Sequence, residues 1–416
     1  MPKAPAETAT LRVAAGIAEI GRETWDALAN PGWRLAPGGP VRLDGIPDAA
    51  APAYNPFLSY DFLAALEESG SVSARAGWTP RHLVLEGADG APAALAPCYA
   101  KSHSQGEYVF DHSWAQAYER AGGRYYPKLQ VSVPFTPATG PRLLVRPGAP
   151  ATRDRALLVE GLAGFARQAG ASSVHATFLI DDDVAAFESG GWLARTDQQF
   201  HWPNRGFRDF DDFLDSFQSR KRKQVKRERR DALADGVEIV AKTGAEIREA
   251  DWDAFYAFYM DTGGRKWGRP YLNRTAFALI GERLADAVLL VLATRHGRPI
   301  AGALNLIGSD ALYGRYWGAV EEQPFLHFEV CYYQAIEFAI RRGLARVEAG
   351  AQGEHKLARG YLPTTTRSAH FIVDPGLRKA VDRYLAMERQ EVAQIGDILA
   401  AHAPYRHADG AEADGF

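Results

Sequence analysis

The stretch "GAQGEHKLARG", residues 350–360, brings together Glu354, His355, Lys356 and Arg359, four side chains able to move protons or hold charge, with Gln352 as a neutral hydrogen-bonding amide. It follows "ARVEAG", a short strand pattern, and the carboxyl ends of strands are where αβ sheets open to ligands. Gly350 and Gly353 permit close backbone approach. The same residues also suit a polar helix start, with Glu354 at its N-terminal end. A second pair, His327 and Glu329 in "LHFEV", stands two residues apart, so both reach one site only if His327 precedes the helix. Glu329 is equally suited to be a plain dipole partner there. Such groups fit aminolysis of an ester or thioester, which needs a neutral amine, a stabilised oxyanion and a protonated leaving group. Deprotonating a Lys-like ammonium near neutral pH costs about 4 kcal/mol, whereas an amine beside a carbonyl group titrates near about 8 and costs about 1 kcal/mol. One imidazole or carboxylate then suffices as base. The candidates are Glu329, His355, His327 and Glu354.

Around them stand candidates for holding substrate. Lys356 and Arg359 suit carrier phosphates or an oxyanion; Tyr316 and Trp317, in the extended "LYGRYWG", suit a proton donor and a wall, or simply core. Lys266 in "DTGGRKWGRPYL" and, in the first half, Lys128 with the "FDHSW" residues Asp111, His112 and Trp114 complete the set. No HExxH or CxxC spacing occurs, so no metal site is expected. Arg220 and Lys223 belong to a different feature, "SRKRKQVKRERR", where eight of twelve residues are basic. Asp209, Asp211 and Asp212 precede it, so acids sit at a helix start and bases towards its end, as the dipole favours. The run reads as a solvated connector or as a phosphate-binding edge for nucleic acid, a membrane surface or a nucleotide-bearing acyl carrier.

The elements that position these groups are written twice. "RHLVLEGADGAPAALAPCYA" and "LLVLATRHGRPIAGALNLIG" both read as strand, tight turn, strand, turning at Asp89-Gly90 and Gly297. After a further extended segment, each half has a helix ending in Gly and then a strand: "RALLVEGLAGFARQAG" with "SSVHATFL", and "VCYYQAIEFAIRRG" with "ARVEAGAQ". Each closes with a short helix and a last strand, with Gly-Trp-Leu in one copy against Gly-Tyr-Leu in the other. Trp252, Phe255, Tyr256 and Tyr259 share one helix face and read as core, or as the lining of an acyl-chain groove. In the C-terminal helix Leu377, Val381, Tyr384, Leu385, Val392, Ile395 and Leu399 are expected inward.

At 416 residues the chain exceeds what one core usually serves. The expected organisation is a first αβ domain over 1–204, a basic connecting helix over 205–236, and a second αβ domain over 237–374. A C-terminal amphipathic helix over 375–402 and a flexible tail over 403–416 follow. Charged residues make up 24% and the net charge is −3, ordinary soluble composition. No apolar run is long enough to span a membrane and the N-terminus lacks a signal-like apolar core, so a cytoplasmic location is expected. Cys98 and Cys331 are the only cysteines and build no disulfide framework.

The element order matches that of the GNAT acyltransferase fold, and its doubling resembles the FemAB-type transferases. "YYPKLQVSVPFTPATGPRLL" (125–144), "FHWPNRGFRDFDDFLDSFQSRKRKQVKRERR" (200–230), "DTGGRKWGRPYL" (261–272), "HFEVCYYQAIEFAIRRG" (327–343) and "GAQGEHKLARGYLPTTTRSAH" (350–370) look like the FemAB-like family of predicted GNAT N-acyltransferases. The likeness runs from about residue 55 to about residue 374. It departs from the GNAT pattern in one respect: no Gly-rich pyrophosphate loop enters either long helix. The resemblance implies a mixed α/β fold of two tandem GNAT-like domains and transfer of an acyl group to an amine. It also implies acyl-CoA as co-substrate, with no permanently bound cofactor. Among family activities, bacterial ceramide synthesis fits best: a fatty acyl thioester acylating a sphingoid long-chain amine. The basic run would then suit coenzyme A phosphates or peripheral contact with an anionic membrane. Two other activities are open, an aminoacyl-tRNA donor acting on a cell-wall peptide, and a binding module that keeps the fold without turnover.

Overall fold

The computed structural model describes residues 10–43, 52–88, 90–148, 151–267, 270–350 and 353–406, without the side chains at 266, 267 and 354. Gln352, the side chains of Glu354 and Lys266, the turn residue Asp89 and the tail beyond 406 therefore lie outside the described residues. The fold is mixed α/β and falls into two compact units, each built around a sheet.

The first unit draws on Met1–Asp197, Tyr271–Ala285 and Thr365–Val392. Its central strands lie in the order Leu362–Ile372, Ser173–Thr177, Lys128–Val131, Cys98–Lys101 and Trp78–Pro80. Ser173–Thr177 runs parallel to Lys128–Val131, and the other neighbours are antiparallel. A four-stranded sheet of Thr10–Ala14, His82–Glu86, Pro92–Ala96 and Leu144–Val145 stands beside them. Helix Ala151–Gln168 lays Leu158, Val159, Leu162 and Ala166 against Leu129, Val131, Val174 and Ala176. That accounts for one face of the central strands. Every second residue points the other way.

The second unit draws on Gln198–Pro270, Asp286–Thr364 and Ala393–Phe416. Its strands lie in the order Val237–Thr243, Val288–Arg295, Arg298–Ile307, Ala311–Ala319, Arg346–Glu348 and Leu193–Pro203. Again one pair, Ala311–Ala319 with Arg346–Glu348, is parallel and is joined through a helix. This crossover helix runs as one turn, Leu326–Phe328, a π-helical segment, Glu329–Tyr333, and an α segment, Gln334–Arg341. The strand-turn-strand, parallel strand and crossover-helix order makes both units GNAT-like copies of one design.

The copies are not closed in sequence. The strand ending the first copy, Leu193–Pro203, places His201, Trp202 and Pro203 opposite Glu348, Val347 and Arg346 of the second. The strand ending the second copy, Leu362–Ile372, pairs its residues Ser368 to Ile372 with Thr177 to Ser173 of the first. Each unit is thus completed by the other copy's last strand. The expected divisions 1–204 and 237–374 follow the repeat in sequence, whereas the units interleave along the chain.

Two expectations need correction. The basic connector is not one helix over 205–236 but two, Phe210–Asp215 and Ser219–Ala232, because the first stops at Ser216, whose backbone N–H closes onto Leu214 and Phe213. In the C-terminal helix Pro375–Ala401, Leu377, Val381 and Leu385 are buried. Tyr384 and Ile395, however, are 41% and 43% exposed, because the buried face is narrower than the apolar pattern suggests. Trp252, Phe255 and Tyr259 are core.

Candidate active site

In the second unit, helix Glu249–Trp267 crosses the end of strand Ala311–Ala319 so closely that a Cβ at Gly318 would stand 2.1 Å from the Phe258 carbonyl oxygen. Glycine is therefore required there. The crossing is fastened by the Ala319 N–H donating to Thr262 Oγ1 at 3.1 Å and by Arg265 donating to the Ala319 carbonyl at 2.8 Å. Between this crossing and the crossover helix lies a cavity of about 750 Å³, walled by Asp261, Thr262, Arg265, Trp317, Glu321 and Glu322, with Leu326 and His327 at its far side. Phe325, at φ 61°, takes the left-handed conformation where the helix begins. Glu321 is paired with Arg295 at 2.6 Å and with Arg298, which fixes the loop.

His327 is half-buried at this wall. Its ring centroid lies 5.2 Å from that of Trp317, 5.3 Å from Tyr332 and 6.1 Å from His355. His355 is exposed, and its Nε2 is 2.9 Å from the Tyr332 hydroxyl. Burial pushes the Tyr332 phenol well up, so it keeps its proton. Lys356 is 3% exposed, and its ammonium donates to the Gly350 carbonyl at 3.1 Å. Burial lowers its pKa to about 8, against an opposing contribution from Cys331. The π-helical turn supplies Tyr332; such turns are frequent at functional sites because they re-aim side chains within a helix.

Glu329, Lys356 and His355, all candidates from the sequence, do not line this cavity. Glu329 is fully buried, and both its oxygens accept from Arg229, at 3.0 and 2.9 Å, with Gln334 adding a third bond. It is a structural anchor, because the carboxylate sits on the inward side of the helix. Arg359 is likewise committed: it donates to Glu228 at 2.9 Å and to the His355 carbonyl at 2.7 Å, and its guanidinium lies over the Phe328 ring. None of these residues lines the cavity. Tyr316 is half-buried with its ring against Tyr259, whereas Trp317 does line the cavity. Arg220 and Lys223 are exposed on helix Ser219–Ala232.

A second assembly, in the first unit, was only partly foreseen. Lys128, with no exposed surface, donates to Ser104 Oγ at 2.8 Å, Glu107 Oε2 at 2.6 Å and Asp111 Oδ2 at 2.5 Å. Tyr125 also donates to Asp111, at 2.7 Å. His175 and His370, opposite one another on paired strands, approach with Nδ1 atoms 2.7 Å apart. Their Nε2 atoms face Ser173 at 2.7 Å and Ser368 at 3.0 Å. Burial pushes Glu107 up to about 7 and Lys101 down to about 7. Burial would raise Asp111 too, but Lys128 and His175 more than offset it and hold the carboxyl below its usual range. Burial drives His175 to about 3 and His370 well below its ordinary value, with Lys128 and Arg195 adding to the effect. Sequence reasoning named Lys128 and Asp111 but missed Lys101, Glu107, Tyr125, His175 and His370. The signal was available: "KLQVS", "SVHAT" and "SAHFI" alternate polar and apolar, although central strands with helices on both faces should be apolar throughout.

The chain belongs to the FemAB-like family: the family model, described as peptidoglycan biosynthesis/recognition, matches residues 16–407. Among solved structures it is similar to FemX, with 12% identity over 76% of this chain and 93% of that one, at a TM-score of 0.48. It is also similar to L-PGS from Bacillus licheniformis, with 11% identity, 80% and 98% coverage and a TM-score of 0.47. A tandem GNAT protein from the clavulanic acid biosynthesis pathway is similar at 14% identity, 88% and 99% coverage and a TM-score of 0.44. No curated protein matches it in sequence. Among the described residues no helix is long and apolar enough to cross a membrane.

Proposed function

We propose that the chain is an N-acyltransferase working at the His327 cavity, with a fatty acyl thioester such as acyl-CoA as donor and a long-chain amine of the sphingoid type as acceptor. The observation that carries this reading is the imidazole of His327 at the wall of an open cavity of about 750 Å³, braced by Trp317. Membership of a FemAB-like family supports the coarser class, a transferase. The amine nitrogen attacks the thioester carbonyl while His327 takes its proton. Collapse of the tetrahedral adduct breaks the C–S bond, and the departing thiolate recovers that proton from the imidazolium. Glu322 adds a carboxylate to the cavity wall suited to drawing in an ammonium, while Asp261 is paired with Arg265 and Glu321 with Arg295 and Arg298.

Loss of a general base lowers turnover by about 10²–10⁴. His327→Ala should therefore reduce amide formation from long-chain acyl-CoA and a sphingoid amine by that factor, with the folded circular-dichroism signal intact. A near-normal rate removes His327 from the chemistry. The family description favours a second reading, an aminoacyl-tRNA donor acting on a cell-wall peptide. In that case product formation is abolished by ribonuclease and acyl-CoA gives none.

A further inference from the structure

Helix Ser219–Ala232 turns Val225, Glu228 and Ala232 inward, and Arg229 reaches back to Glu329 and Glu337, so the helix is fixed in orientation. Opposite that buried side, Arg220, Lys223, Lys226, Arg227 and Arg230 are all exposed. At 100° per residue these five share an arc of about 120° and extend over about 15 Å. Charge that would spread all round a free helix is thus sorted by packing into one basic face. Lys226 is 3.2 Å from Asp211, and Arg227 and Arg230 reach Asp231 at 4.0 and 2.8 Å. Among the described residues, Arg220 and Lys223 have no carboxylate partner. Leu233, at the end of the helix and beside the same arc, is 41% exposed.

We infer that this face docks the protein onto an anionic lipid surface. Several cations on one exposed arc with an aliphatic residue at its margin match a headgroup layer, where charges meet phosphates and the apolar side chain reaches the acyl boundary. The helix residues from Ser219 to Ala232 include no aromatic side chain on which bases could stack, which weighs against single-stranded nucleic acid. The chain as a whole carries −3, so a negative surface attracts this face while repelling the rest and orients the molecule.

The test is cosedimentation of the full chain with vesicles of phosphatidylcholine alone or with one third phosphatidylglycerol, in ~0.1 M salt. Binding is expected only to the anionic vesicles and should be released by ~1 M salt. Each cation near such a surface contributes about fivefold in affinity, so R220Q/K223Q/R227Q should bind about a hundredfold more weakly. R248Q/K379Q/R383Q, with the same net charge, should bind like the unaltered chain. Failure of the unaltered chain to bind, or equal loss in both variants, overturns the inference. So does tight binding of tRNA that competes with vesicles and is lost in the first variant alone, which would make the face a nucleic-acid surface.

Discussion

Lys128 holds a full positive charge without exposed surface because two carboxylates and a hydroxyl surround its ammonium. Lys128→Met removes the cation and leaves Glu107 and Asp111 facing each other in a dry interior. Breaking a buried ion pair in this way costs about 3–5 kcal/mol. Urea unfolding should register that loss, and a change below about 1 kcal/mol would show the network to be slack. His175 and His370 give a prediction of opposite character. Their folded pKa values lie below the unfolded value near ~6.5, so the unfolded chain binds more protons in acid. Their contribution to stability is full above about pH 6.5 and is lost as the pH falls towards about 3. Glu107, raised to about 7, and Asp183, raised to about 6, act in the opposite sense in the same range, so only a difference isolates the imidazoles. H175N/H370N should flatten the acid limb of the stability–pH curve, and ring NMR shifts of the unaltered chain should show both imidazoles neutral at about pH 5. An imidazolium signal there contradicts the assignment. These groups were hard to read in sequence because a lone histidine in a strand has no visible partner. His370 meets His175 across 195 positions.

The basic helix shows how little an element's composition says about which of its residues matter. Arg220 and Arg229 look alike in "SRKRKQVKRERR", yet one is exposed and the other clamps Glu329 and Glu337. Arg229→Gln should destabilise the protein by about 2–3 kcal/mol, the buried-pair cost discounted because the guanidinium is partly exposed. Arg220→Gln should stay within about 0.5 kcal/mol. Equal effects in thermal unfolding would mean that the clamp carries nothing. The sequence showed the helix and its charge order, but the clamp's partner lies a hundred residues later in another element. The same distance explains why His327 could be named but not ranked: Trp317 and the helix crossing at Gly318 make its cavity, and neither lies in its own motif.

For the whole molecule, the doubled element order was legible because each copy repeats its strand-turn-strand pattern and its helix-ending glycine. The exchange of last strands was not, since a strand's own alternation says which face is buried and nothing of which neighbour it pairs with. The exchange makes a direct prediction. Fragments 1–204 and 205–416 each carry the strand that the other's sheet lacks, so each alone should show little cooperative unfolding, and mixing them should restore it. Independent, fully cooperative unfolding of either fragment would contradict the pairing. There is also a historical consequence. A one-copy ancestor with this arrangement could close its sheet only by trading that strand with a second molecule of itself, as a swapped homodimer. Gene fusion would make that partnership permanent, so neither half could afterwards be discarded. Each was free to specialise, the first around its buried Lys128 network and the second around the His327 cavity.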